Sequence, residues 1–385
     1  MKNEQNVRQA FQSILRADYI SINDINQLKK LEEYYVDIFK NLPIVLQDQD
    51  NFINGRRGSG KTTLLMRAYY ECLKTISPKI SSESQYITSR KILPLYIDLS
   101  QCKDIFGESN EQVFERIFIE RIVFELKNQL NIMFETNIIK RFKNNNFKNK
   151  EFEYIETILK NGIQLKVSKN DIKEEIKKIS KDNIECSLSF KDPLIASDSE
   201  EKKEVTTTHN IDELRSVSIQ SFLNSLGNIK KESKIDAIYI FLDEFSELSP
   251  NEQQRFSILL KKLLGSKNNI FFKIGTITGR YNFGENIIIG RDIFPISLDL
   301  NDFVERYGGI VSAIKTLEDF SLEIIESRLR AFKCNLTFSD VFQGQKGEII
   351  SRITRESMGI PRTIGIILQN ALIQSEVNNK QKKYR

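Results

Sequence analysis

Apolar positions along this chain follow two rhythms. From about Val7 to Phe39 the rhythm is helical. Ile25, Leu28, Leu31, Tyr35, Ile38 and Phe39 fall at the spacing that lines one face of an amphipathic helix, and Pro43 is expected to end that run. Leu64, Leu65 and Ala68 keep helical spacing from Lys61 to about Leu73, and Val113, Ile117, Ile119, Val123 and Leu126 do so from Glu111 to about Leu130. Further helices are predicted from Ile211 to about Leu226, from Asn251 to about Leu264, and through most of the chain after Asp302. Between them run short apolar stretches of strand character: Asn51–Asn54, Ile92–Asp98, Ala237–Asp243, Ile270–Thr276 and Ile293–Leu298. Pro94 predicts an early or edge position for the second, because proline donates nothing to a sheet ladder. Ala237–Asp243 is continuously apolar and ends in acid, as a parallel strand buried on both faces does. Strands alternating with helices predict an α/β architecture around a parallel sheet.

The rhythm is lost between about 136 and 210. Phe142–Lys150 is low in complexity, and Ser197–Glu204 is a run of acids and bases. This stretch reads as an insertion with solvated faces. Its alternating charges argue against a nucleic-acid-binding arm. The expected organisation is an N-terminal helical segment over 1–45, a core over 46–300 carrying the insertion, and a C-terminal helical domain over 301–385.

Composition narrows the chemistry. Of 385 residues, 40% are hydrophobic and 28% charged, enough apolar material for a sizeable core. A net charge of +5 permits a nucleic-acid partner without demanding one. His209 is the only histidine, which excludes a histidine-based catalytic triad or a zinc site with several imidazoles. Cys72, Cys102, Cys186 and Cys334 form no CxxC pair and read as small buried residues in a reducing compartment. The polar N-terminus and the absence of a long apolar run predict a cytoplasmic protein with no membrane contact.

The candidate chemistry begins at Gly55-Arg56-Arg57-Gly58-Ser59-Gly60-Lys61-Thr62, which fits GxxxxGK[ST]. Glycines let backbone N–H groups close around phosphates, Lys61 reaches the outer phosphates, and the Thr62 hydroxyl can ligate Mg2+. Thr63 follows on the helix that points its positive end at the anion. A strand before the loop and a helix after it strengthen this reading of a P-loop for ATP and Mg2+. Asp243 and Glu244 end the apolar strand. One acid can hold Mg2+ and its neighbour can take a proton from an attacking water. Asp98 also ends a strand, lacks the second acid, and reads as structural. Thr276 and Thr278, where the next strand ends, are candidates to orient that water. Arg280 and Arg291 lie beyond it and could stabilise charge on the transferring phosphoryl group. Arg362 follows Pro361, a residue suited to a first helical position, so a cation sits where the helix dipole favours an anion.

Together these motifs resemble the AAA+ superfamily, and within it the origin-recognition-like ATPases and their STAND relatives. Gly55–Thr62 resembles Walker A and Ile240–Glu244 resembles Walker B. The resemblance implies that Thr276 or Thr278 is sensor 1, Arg362 in Gly-Ile-Pro-Arg is sensor 2, Arg291 before Asp292–Ile296 is an arginine finger, and Glu323–Leu329 opens a helical lid. It spans about Asn51–Leu73 and Ile235–Leu372. Walker A and Walker B stand unusually far apart, and the insertion accounts for the distance. The chain ends too soon after the lid for a winged-helix domain, so DNA loading by the origin-recognition route is not expected. The implied activity is ATP hydrolysis by a homo-oligomer that regulates an effector protein or nucleic acid, with antiphage defence or mobile-element control as a biological setting. A slow nucleotide switch and a P-loop kinase are the alternatives; a GTPase is disfavoured because no guanine-reading motif follows Asp243.

Overall fold

The computed structural model describes residues 2–15, 20–37, 39–102, 111–134, 163–165, 214–216, 219–265, 269–334 and 336–383. The run 142–150, the run 197–204, Cys186 and His209 lie outside them. The helices are α1 (Lys2–Leu15), α2 (Ile25–Tyr34), α3 (Asn41–Val45), α4 (Lys61–Ile76), α5 (Glu111–Phe134), α6 (Ile219–Glu232), α7 (Pro250–Leu263), α8 (Leu300–Arg306), α9 (Ile310–Ala331), α10 (Phe338–Val341), α11 (Lys346–Ser357) and α12 (Pro361–Lys383). The strands are β1 (Asn51–Gly55), β2 (Ile92–Asp98), β3 (Ile163–Leu165), β4 (Leu214–Ser216), β5 (Ala237–Asp243), β6 (Ile270–Ile277) and β7 (Phe294–Ser297).

Five strands form one parallel sheet in the order β2-β5-β6-β1-β7. This is the expected P-loop NTPase core, with helices before it and a helical lid after it. Pro94 does sit on an edge strand. The order matters for chemistry: β6 lies between the strand that feeds the glycine loop and the strand that ends in Asp243-Glu244. All seven residues of β5 are buried, as its unbroken apolar run requires.

Two predicted boundaries move. The first apolar helix ends at Tyr34, well before Pro43, because Tyr35 turns extended and Lys40 takes a left-handed conformation (φ 54°). Pro43 instead falls in the first turns of α3, where a missing N–H costs little. The side chain of Asp37 caps that helix, accepting from the N–H groups of Asn41 and Leu42 at 3.0 Å each. The helix expected from Ile211 to Leu226 runs from Ile219 to Glu232. Leu214–Ser216 pairs antiparallel with β3 instead, and Phe222, Leu226 and Ile229 carry the buried face onward.

Buried residues gather in two cores. One surrounds the sheet and takes in Leu28, Leu31 and Tyr34 of α2. The other joins α1, through Val7, Ala10, Phe11 and Ile14, to Leu317, Phe320, Ile324, Ile364 and Leu368 of the lid helices α9 and α12. The N-terminal helices thus divide between the two cores and bridge them. Cys72, Cys102 and Cys334 are buried. Among the described residues no helix is long and apolar enough to cross a membrane.

Candidate active site

The loop between β1 and α4 is shaped by its glycines. Gly58 and Gly60 have φ of 85° and 100°, which side-chain-bearing residues rarely adopt. A Cβ on Gly58 would also come within 2.6 Å of the Arg362 side chain. Lys61 is buried at the start of α4, and its Nζ donates to the carbonyls of Gly55 (2.8 Å) and Arg56 (2.9 Å). Burial lowers its pKa, while Glu244, Asp243 and Asp299 oppose that shift. Arg56 and Arg57 are exposed. The Arg56 N–H donates to Asp299 Oδ1 (2.8 Å), and Arg57 reaches Glu247 at 3.5 Å.

Asp243 sits beneath this loop, buried and heavily bonded. Its Oδ2 accepts from the Tyr96 hydroxyl (2.7 Å), its Oδ1 accepts from the Glu244 N–H (2.9 Å), and its side chain also bonds that of Thr62. Burial raises its pKa even against these donors. Space for the carboxylate comes from Gly275 on β6, where a Cβ would lie 3.0 Å from Asp243 Oδ1 and 2.8 Å from Leu65. Glu244 occupies the left-handed region (φ 56°), a strained conformation for a glutamate and one concentrated at functional sites. Burial raises its pKa first, Asp243 and Glu247 add to the rise, and Lys61 opposes it. Asp98 lies opposite Asp243 in the β2–β5 register and accepts from the Ser100 N–H and hydroxyl (2.9 and 2.7 Å).

The two threonines differ. Thr276 pairs with Asn54 in the β6–β1 register and is buried, its hydroxyl without a hydrogen-bond partner. Thr278 is exposed; its hydroxyl bonds Asp299 and its N–H donates to Gly55 O at 3.2 Å. Arg362, at the start of α12, lies against the loop. Its N–H donates to Gly58 O (3.3 Å) and its Nε to Leu15 O, the last carbonyl of α1 (3.0 Å). Arg280 and Arg291 are exposed and do not line the cleft. Arg291 bonds Asp292 through two nitrogens, each at 3.1 Å. Arg291, the Ile288 N–H and Lys261 together hold Asp292 far below the ordinary carboxylate range.

Residues 56–63, Tyr96, Asp98, Asp243, Glu244, Asp299 and Arg362 border one cleft of about 1140 Å3, which neither Thr276 nor Thr278 lines. The sheet forms one wall, with Lys61, Thr62, Thr63, Asp243 and Glu244. The N-terminal helices and the lid form the other, with Tyr34, Arg328 and Arg362. Hard oxygen donors converge at the Thr62–Asp243 contact, a donor set that suits Mg2+. Sequence reasoning missed Tyr96, Asp299 and Arg328. Asp299 was within reach, since it lies just past the end of β7, as Asp243 lies at the end of β5. Tyr96 hides in an apolar run, and Arg328 on a helix face.

A family model described as ORC-CDC6-like matches residues 21–384. No curated protein and no solved structure matches the chain.

Proposed function

The chain belongs to the ORC-CDC6-like family of AAA+ ATPases, and from that premise we propose that it binds ATP with Mg2+ and hydrolyses it in the cleft between sheet and lid. One observation carries the reading: the loop lysine, the Thr62–Asp243 pair, Glu244 and Arg362 all face the same space. In this reading the N–H groups of Gly58–Thr62 and the Lys61 ammonium hold the phosphates. Thr62 and Asp243 hold Mg2+, which would neutralise charge developing on the phosphates. Glu244 takes the proton of the attacking water. Thr276 or Thr278 is proposed to orient that water, Thr278 acting through Asp299. Arg362 tests the phosphates from the lid side.

The proposal extends to assembly. Arg280 and Arg291 stand outside their own cleft, so either reaches a phosphate only across a subunit boundary. Arg291 is the better placed, because Asp292 fixes its guanidinium through Nε and one terminal nitrogen. A homo-oligomer with nucleotide between subunits would regulate an effector protein or a nucleic acid, and antiphage defence or mobile-element control is the proposed setting. The chain is proposed to divide into an N-terminal helical segment over 1–45, an ATPase core over 46–300 and a helical lid domain over 301–385.

The test is phosphate release together with light scattering, with and without ATP and Mg2+, on the wild type and Glu244→Gln. Phosphate release by the wild type, with a defined oligomer that persists in Glu244→Gln, is expected. A monomer under every condition would remove both finger assignments. Phosphate release that needs a second substrate would move the reading to a kinase.

A further inference from the structure

Arg362 stands where its own helix disfavours it. As the second residue of α12 it puts a cation at the positive end of the helix dipole. The end of another helix offsets this. Leu15 is the last residue of α1, so its carbonyl has no partner within that helix, and it accepts from Arg362 Nε at 3.0 Å. A cation is favoured at that negative end. Among the described residues the terminal nitrogens of Arg362 bond no protein acceptor, and Arg362 lines the cleft together with Ile14 and Leu15.

Gly365, one turn further along α12, makes this contact possible. A Cβ there would lie 3.1 Å from Ile14 Cβ and from Leu15 Cδ2, and 3.2 Å from the Leu15 nitrogen. A glycine inside a helix costs about 0.5–1 kcal/mol against alanine, and here it lets the last turn of α1 sit directly on α12. Val7, Ala10, Phe11 and Ile14 fix that seat in the lid core. We propose that α1 is a positioning element of the nucleotide site: the Leu15 carbonyl anchors the Arg362 guanidinium at Nε and so aims its terminal nitrogens at the phosphates. A planar guanidinium anchored there keeps a forked pair of donors in a fixed direction. Arg362 then bonds Leu15 O and phosphate at once, so bound nucleotide and seated α1 each favour the other. This inference rests on the proposed phosphate site and adds a control point to it, because drawing α1 off the lid weakens ATP binding.

ATP binding with Mg2+ is measured by calorimetry on the wild type, Gly365→Leu, Arg362→Ala and the double variant. Arg362→Ala should weaken ATP at least about tenfold, the worth of one charge-assisted hydrogen bond. Gly365→Leu wedges α1 from α12 and should weaken ATP severalfold. The double variant should bind no more weakly than Arg362→Ala, because α1 acts only through that arginine. An unchanged affinity in Gly365→Leu, or losses that multiply in the double variant, overturns the inference. Amide hydrogen exchange tests the same coupling without a packing variant. Saturating ATP should slow exchange in α1 of the wild type severalfold more than in α1 of Arg362→Ala. Equal slowing in the two overturns the inference, even if Gly365→Leu fails to fold. If the wild type binds no ATP, the phosphate-site reading fails and this inference falls with it.

Discussion

Asp243 and Arg291 are both charged, yet the fold treats them in opposite ways. Asp243 ends a strand buried along its whole length, and donors from Tyr96, Thr62 and the Glu244 backbone hold it in place. Arg291 sits on a surface loop, its side chain 63% exposed, with Asp292 as its fixed partner. The acid is sealed inside its own chain. The arginine is held by its partner but stands outside its own cleft. In the proposed ATPase one end of the reaction is complete within a subunit, and the other needs a neighbour.

The strongest test of the sealed end is Lys61→Ala. Loss of the buried ammonium should abolish detectable binding of a fluorescent ATP analogue while the circular-dichroism spectrum stays native. Retained binding would place the phosphates elsewhere. Next in size is Arg291→Ala, which should cut turnover by roughly a thousandfold, the scale of an arginine finger. ATP affinity should hardly change. Mixing Arg291→Ala with Lys61→Ala subunits should restore part of the turnover, since each supplies what the other lacks. If it restores none, the comparison between the two ends loses its basis.

Glu244→Gln comes third, with turnover lowered by roughly a hundredfold or more and ATP binding kept. Its pH dependence sharpens the same contrast. Glu244 must be deprotonated to accept a proton from water, and burial beside Asp243 raises its pKa. Activity should therefore fall, as pH is lowered, at a higher pH than an ordinary glutamate would give. A limb at the ordinary glutamate position would deny Glu244 the role of base.

How much of this was legible beforehand follows from where information sits in a chain. Gly55–Thr62 and Ala237–Glu244 are contiguous, so their chemistry and strand context are written side by side. The sheet order was not, because β6 enters between β1 and β5 from a later part of the sequence. Nor could local rhythm show that the buried face of α1 joins the lid core while that of α2 joins the core around the sheet. Both helices are amphipathic, and the pattern says which face is buried without saying against what. Tyr96, Asp299 and Arg328 were missed for the same reason: each acts through a partner distant in sequence. The helix predicted at Ile211 slipped because Leu214–Ser216 found a strand partner far upstream.

The smallest expected effect falls on a missed residue, and it tests whether the sealed end is sealed for a purpose. Tyr96→Phe removes one hydroxyl from a buried aromatic and leaves Asp243 Oδ2 without its donor. The lost bond costs about 1–3 kcal/mol of stability, because the acceptor stays buried. If the hydroxyl only fills space, that is the whole effect. If it aims the carboxylate at Mg2+, ATP binding measured against Mg2+ concentration should shift severalfold toward higher Mg2+, while binding in the presence of a chelator stays as in the wild type. A loss of stability with an unchanged Mg2+ dependence would make Tyr96 a core residue and nothing more. The Thr62 hydroxyl and the Glu244 N–H would then be the contacts that orient Asp243.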